Sequence, residues 1–269
     1  MKKLAIHSVP RSGSTWLGSI FDSHPDTIYK YQPLFSYKFK DYLNENSTRD
    51  DIDSFFRDLK ISKDDFLDQT EAKKKGIIPS FDKNPNPKVV VYKEVRYHHI
   101  LKNMMEVSTD LKLIGIVRNP LSTIHSWLNA PKEFRKDKGW KSNNEWLNAP
   151  SKNKNQKEEF NGYNKWKETA LLFEELKKKY PLRFMLVSYS ELIKSTDEMV
   201  EQLFSFCELE IGKQTNYFLK DSRDKTIKNA YSVYRNKVSD SNWKGDLNQE
   251  IVDFITADLG NSVLEKYLK

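Results

Sequence analysis

Arg11, Ser12, Gly13, Ser14 and Thr15 place a guanidinium, three hydroxyls and a glycine in five consecutive positions. That density of donors suits an oxyanion. A guanidinium can fork onto two oxygens, and hydroxyls add further hydrogen bonds. Glycine lets the backbone come close to an oxygen and tolerates positive φ. The flanking residues say how such a turn would be held. Residues 4–9 are short and mostly apolar and end at Pro10, which predicts a buried strand. Residues 16–21 carry apolar side chains at helical spacing, which predicts a helix. The first N–H groups of a helix have no partners, and the positive end of its dipole sits at the same place. Strand, small-residue turn and helix start together predict a cradle for a phosphate-like group.

The turn is not a Walker A loop, which needs G-x-x-x-x-G-K-[ST]. Here Ser14 follows the glycine, and the cation lies two residues before it. Further along, residues 89–92 (Val-Val-Val-Tyr) predict a second buried strand, ending in Lys93-Glu94-Val95-Arg96. Polar residues just past the carboxyl end of a parallel strand lie where open α/β sheets bind ligands. Residues 111–117 predict another strand, leading into Arg118-Asn119-Pro120, with Pro120 suited to the first turn of a helix. Residues 98–105 and 192–206 read as helical. Residues 163–180 place Trp166, Ala170, Phe173 and Leu176 on one helical face. Residues 182–187 predict a strand. Strands alternating with helices predict a parallel, doubly wound sheet.

Two stretches break this rhythm. Residues 40–80 are polar, with Ile52, Phe55, Phe56 and Leu59 at helical spacing, and predict helices beside the site. Residues 130–160 are rich in Lys, Asn and Ser, with Trp140 and Trp146, and predict a mobile insertion whose indoles could stack on sugar faces. The 269 residues suit one large domain, 1–269, carrying these two inserts. Lys plus Arg is 45 against 38 Asp plus Glu, a net charge of +7 that favours an anionic ligand. The basic residues are interspersed with acids, which argues against nucleic acid. The single cysteine, Cys207, lies in an apolar helical pattern, so a disulfide framework within the chain is excluded and no metal cluster is expected. No secretory signal and no transmembrane run of 18 apolar residues is present, which predicts a cytoplasmic protein.

The turn at residues 10–16 resembles the 5′-phosphosulfate loop of sulfotransferases that use 3′-phosphoadenosine 5′-phosphosulfate (PAPS), and its arginine resembles the carbohydrate-modifying branch. Arg118-Asn119-Pro120 with Ser126 matches the family's 3′-phosphate motif R-[ND]-P-x-x-x-x-x-S. Val187-Ser188-Tyr189-Ser190-Glu191-Leu192 is similar to a family segment whose tyrosine contacts the adenine, and Trp16 matches a loop tryptophan that packs on it. Residues 231–237, with Trp243-Lys244, resemble a further 3′-phosphate loop, although both of that loop's glycines are missing.

The resemblance implies a three-layer, P-loop-NTPase-like α/β fold with a central parallel sheet flanked by helices. It also implies sulfuryl transfer from PAPS to a hydroxyl or amine, with 3′-phosphoadenosine 5′-phosphate (PAP) as product and no metal. Arg11, Ser12, Gly13, Ser14, Thr15, Trp16, Arg118, Ser126, Tyr189, Arg235 and Lys237 would hold the cofactor. Arg11 would also stabilise the leaving phosphate, and Lys93 matches a lysine near the sulfuryl group. Tyr31-Gln32-Pro33-Leu34 is similar to a carbohydrate-branch segment, which points to a saccharide or glycoconjugate acceptor. Gln32 stands where relatives can have a glutamate, and an amide accepts no proton at neutral pH.

The catalytic base is left open. Val95 occupies the place of the cytosolic branch's histidine and cannot serve. Glu94, next to Lys93, is the leading candidate, with His98, His99 and His7 as alternatives. Lys93 and Glu94 share a site only if the strand ends between them, because neighbouring strand residues point to opposite faces. Two other classes compete with this reading: a P-loop kinase or NTPase, and a non-catalytic anion-binding protein.

Overall fold

The computed structural model describes residues 1–229, 231–236 and 239–269. Lys237, expected above to bind the cofactor, lies outside them. Five strands, β1 (Lys2–Ser8), β2 (Thr27–Tyr31), β3 (Val89–Glu94), β4 (Leu111–Val117) and β5 (Phe184–Ser188), form one sheet in the order β2-β3-β1-β4-β5. Every pairing is parallel. β1 lies at the centre, with Ala5 level with Tyr92 on one side and Leu113 on the other. The strands are buried almost throughout because helices cover both faces.

Strand alternation sorts the two cores. Ala5, Val90, Tyr92 and Leu113 face Phe55 and Phe56 of α2 (Arg49–Ile61), Met104 of α4 (Leu101–Val107), Trp127 of α5 (Pro120–Leu128) and Phe173 of α7 (Tyr163–Lys179). Leu4, Ile6, Val89 and Val91 face Leu17 and Phe21 of α1 (Ser14–Asp22), Phe204 of α9 (Thr196–Phe206) and Phe218 of α10 (Lys213–Asp224). α1 lies tight against the sheet because residue 18 is glycine: a Cβ there would sit 2.4 Å from the Tyr29 hydroxyl oxygen. α2 starts in a capping box, in which Thr48 Oγ1 accepts from the Asp51 N–H and Asp51 Oδ2 accepts from the Thr48 N–H at 2.7 Å. It buries Ile52, Phe55, Phe56 and Leu59, the spacing read from the sequence.

Three expectations shift. The helix expected at 98–105 is a 3₁₀ turn, His98–Ile100, followed by α4. The strand expected at 182–187 starts two residues later, because Leu182 is exposed. The insertion expected to be mobile is packed. Phe134 and Ala149 are buried, and the buried Glu145 accepts from Ser151 N–H at 3.1 Å and Oγ at 2.6 Å. Its tryptophans serve that packing: Trp140 meets Phe134 edge-on, and Trp146 meets Phe254. Cys207 is buried at the end of α9. Among the described residues no helix is long and apolar enough to cross a membrane.

Candidate active site

The carboxyl ends of the strands open into a cavity of about 1150 Å³. A single ligand pocket typically spans roughly 300–1,000 Å³, so there is room here for two substrates. At its floor lies the turn between β1 and α1. Gly13 adopts φ 78°, a left-handed conformation open to glycine, and precedes the first residue of α1. A side chain there would also collide with Tyr189, whose Cε2 would lie 2.4 Å from the added Cβ. The first bond into α1 is Leu17 N–H to the Gly13 carbonyl, so the N–H groups of Ser14, Thr15 and Trp16 have no acceptor among the described residues. Ser14 and Thr15 line the cavity as expected. Ser12 lines it too, but its hydroxyl donates to the Val9 carbonyl at 2.5 Å and closes the turn.

Arg11 also has positive φ, 59°. For a residue with a Cβ this conformation costs about 1–2 kcal/mol, and two contacts hold it. Its carbonyl accepts from Arg118 Nη1 at 2.6 Å, and its own Nε donates to Ser126 Oγ at 3.2 Å. The loop after β1 and the Arg118…Ser126 pair, more than a hundred residues apart in the chain, thus hold each other directly. Arg118 leaves the end of β4, where Asn119 caps α5 by accepting from the N–H groups of Leu121 and Ser122. Its guanidinium lies 4.8 Å from the centre of the Tyr189 ring. Trp16 Nε1 donates to Ser222 Oγ at 3.0 Å, and Arg235 N–H donates to the Ser222 carbonyl at 2.9 Å, so α10 ties both to the same wall. Arg11, Trp16, Arg118, Ser126, Tyr189, Ser222 and Arg235 all line the cavity. Carboxylates hold both arginines: Glu133 Oε1 is 3.2 Å from Arg11 Nη1, and Asp240 Oδ1 is 2.6 Å from Arg118 Nε.

Lys93 at the end of β3 faces the cavity, with Nζ 4.5 Å from the centre of the Tyr31 ring. It makes no ion pair among the described residues, and burial holds its ammonium below the ordinary lysine range. Gln32 lies beside it, donating its N–H to the Lys93 carbonyl at 2.8 Å. Glu94 does not reach this site. It belongs to β3, so its side chain takes the opposite face from Lys93, where it is fully buried and outside the cavity lining. Its Oε1 accepts from the Val95 N–H at 3.0 Å, its Oε2 has no partner among the described residues, and burial raises its carboxyl above the usual range. His98 is also outside the cavity lining. Its Nδ1 is 3.2 Å from Nδ1 of His7, its ring packs on Phe173, and burial lowers it to about 3. His7 is buried in the same cluster, and His99 is absent from the lining.

Lining side chains that the sequence did not single out include three from the insert. Glu133, Lys152 and Phe160 line the cavity, as does Arg96, whose guanidinium lies 3.9 Å from the Phe35 ring centre and 4.4 Å from that of Phe160. Arg96 sits where strand-end polarity pointed. Glu133 and Lys152 carry no local signal, because long-range packing alone brings the insert over the sheet.

Residues 4–213 match the model of the sulfotransferase family. No curated protein sequence matches the chain. Among solved structures, a mouse sulfotransferase complexed with PAP superposes with a TM-score of 0.57 at 15% identity, covering 99% of this chain and 87% of that one. A sulfotransferase from Alicyclobacillus acidocaldarius gives 0.56 at 12% identity, covering 100% and 96% respectively. At these identities the structures show a shared fold.

Proposed function

The chain belongs to the sulfotransferase family, and we propose that it transfers the sulfuryl group of PAPS to a hydroxyl of a carbohydrate or glycoconjugate acceptor. The observation that carries the reading is the mutual hold of Arg11, Arg118 and Ser126 at the cavity floor, beside three helix-start N–H groups without acceptors among the described residues. The mouse relative is complexed with PAP, a nucleotide with phosphates at both its 3′ and 5′ positions, and a loop cradle with an arginine–serine pair joined to it suits two phosphates.

The sheet order divides the labour. β1, β4 and β5 carry the Gly13 loop, Arg118 and Tyr189, and this side takes the nucleotide. The loop amides with Ser14, Thr15 and Arg11 hold the 5′-phosphate, and Arg118, Ser126 and Arg235 hold the 3′-phosphate. Tyr189 and Trp16 flank the adenine. β2 and β3 carry Gln32, Lys93 and Arg96, and this side takes the acceptor. In the reaction an acceptor oxygen bonds to sulfur as the bond from sulfur to the 5′-phosphate oxygen breaks. Lys93 stabilises charge on the sulfuryl oxygens and Arg11 charge on the leaving phosphate, and the rest is positioning. Glu133 is the carboxylate at the Arg11 and Lys93 end, and it receives the acceptor's proton in place of Glu94 and His98. The saccharide reading rests on the arginine of the loop and on Gln32-Pro33-Leu34. A screen of saccharides, phenols and steroids with labelled PAPS tests it, and turnover confined to phenols or steroids overturns it.

A further inference from the structure

One group of cations in the cavity has no task in binding the nucleotide. Arg96 lines it just past Lys93 on the acceptor side, and Lys152 lines it close enough for the Arg96 charge to act on it. Phe35 and Phe160 lie over the Arg96 guanidinium at 3.9 and 4.4 Å, and Phe35 is itself 45% exposed. The guanidinium donates no hydrogen bond and makes no ion pair among the described residues, and its Nε is buried without a partner. Lys152 Nζ donates to the Glu133 carbonyl at 3.1 Å and likewise makes no ion pair among those residues. The carboxylates of Glu94, Glu133 and Glu158 act on Arg96 through space without closing a bond to it. Burial lowers both cations from their ordinary values, and for Lys152 the charge of Arg96 adds to the effect.

Partly buried cations are ordinarily paired, because removing them from water is costly. Contact with two aromatic rings holds the guanidinium in place and leaves its N–H donors to be matched. A planar carboxylate fits such a fork with two parallel hydrogen bonds. We propose that Arg96 and Lys152 form a subsite for a carboxylate carried by the acceptor, so that the enzyme sulfates a hydroxyl of an acidic molecule. This rests on the sulfotransferase reading above and names the class of its acceptor.

The test uses matched acid and neutral hydroxyl compounds: p-nitrophenyl β-glucuronide against the β-glucoside, and 4-hydroxyphenylacetate against its methyl ester. Binding to the PAP-saturated full chain is measured by calorimetry, and turnover with labelled PAPS. The acid of at least one pair should bind about 10–100-fold more tightly than its neutral partner. Arg96→Gln should remove that preference, the acid losing about ten-fold more than its neutral partner, while PAP stays within about two-fold. Arg96→Lys should restore part of it, and Lys152→Gln, at a less buried position, should reduce it independently. Equal affinity for acid and neutral partner in every pair overturns the inference while PAP binding stands, as does an equal loss of both on Arg96→Gln. Failure of the unaltered protein to bind PAP strikes the sulfotransferase reading and removes this subsite with it.

Discussion

Arg118→Ala should separate two roles that the arginine holds at once. In the structure its Nε donates to Asp240 Oδ1 and its Nη1 to the Arg11 carbonyl, each at 2.6 Å, and its side chain is 13% exposed. Truncation leaves the Asp240 carboxylate, 12% exposed and with Oδ2 already without a partner among the described residues, facing a void. Breaking a buried pair from one side costs about 3–5 kcal/mol, and partial exposure places this pair near the lower figure. A loss of about 3 kcal/mol lowers the melting temperature by roughly 6–12 °C at about 2–4 °C per kcal/mol. Removal of the partner as well, in Arg118→Ala with Asp240→Ala, should recover most of that loss. PAP affinity should behave differently. A hydrogen bond to a charged group is worth about 1.5–3 kcal/mol, so Arg118→Ala should weaken PAP by roughly 10–150-fold, and the double variant should stay weak. Adenosine 5′-phosphosulfate, which lacks the 3′-phosphate, should lose less than about three-fold. Asp240→Ala alone frees the guanidinium and should not weaken PAP. Calorimetric titration of the four proteins with both nucleotides, beside thermal melts, reads all of this. Equal losses for both nucleotides would refute the 3′-phosphate assignment. A loss in Asp240→Ala as large as in Arg118→Ala would show that Asp240 orients the arginine.

Three further outcomes follow from the same geometry. Lys93→Gln should cut turnover about 10²–10³-fold with PAP affinity within a few-fold, since the lysine acts on charge developed in the transition state; single-turnover assays check this. Glu133→Gln should lose about 10²–10⁴-fold in turnover and the acidic limb of the pH–rate profile, with PAP bound no more weakly, whereas Glu94→Gln should retain turnover within a few-fold and keep that limb. Stability should fall on acidification, because burial depresses both His7 and His98. Their contribution is complete above the ordinary histidine range and is lost as pH drops below it, at about 1.4 kcal/mol per unit for each. The raised Glu94 works in the opposite sense, contributing most at low pH and losing its contribution as pH rises. His98→Gln should therefore flatten the acid limb of urea-unfolding free energy between pH 5 and 6.5 by about 1.4 kcal/mol per unit, and an unchanged slope would contradict the buried neutral pair.

What the sequence revealed was what local rules govern. The strand before Pro10, the glycine before α1 and the proline opening α5 each follow from backbone sterics within a few residues, and the structure places them where they were read. Alternation along β3 already stated the condition that Lys93 and Glu94 could share a site only if the strand stopped between them. β3 continues through Glu94, and the condition fails. Glu133 was invisible for a different reason. It belongs to an insert whose course depends on Phe134 and Ala149 entering a core built from distant helices, and no periodicity within residues 130–160 encodes that. The tryptophans there looked available from composition, yet an indole near other aromatics is usually packed, as Trp140 is on Phe134.

The most direct measurement is equilibrium titration of the unaltered chain with PAP and with ATP, each with and without Mg²⁺. A loop cradle whose amides have no acceptor among the described residues, joined to the Arg118–Ser126 pair and without a Walker lysine, predicts micromolar PAP binding that is unchanged when Mg²⁺ is chelated, and much weaker binding of ATP. ATP binding as tight as PAP binding, and dependent on Mg²⁺, would contradict sulfuryl transfer and identify the cavity as that of a nucleotide kinase or NTPase.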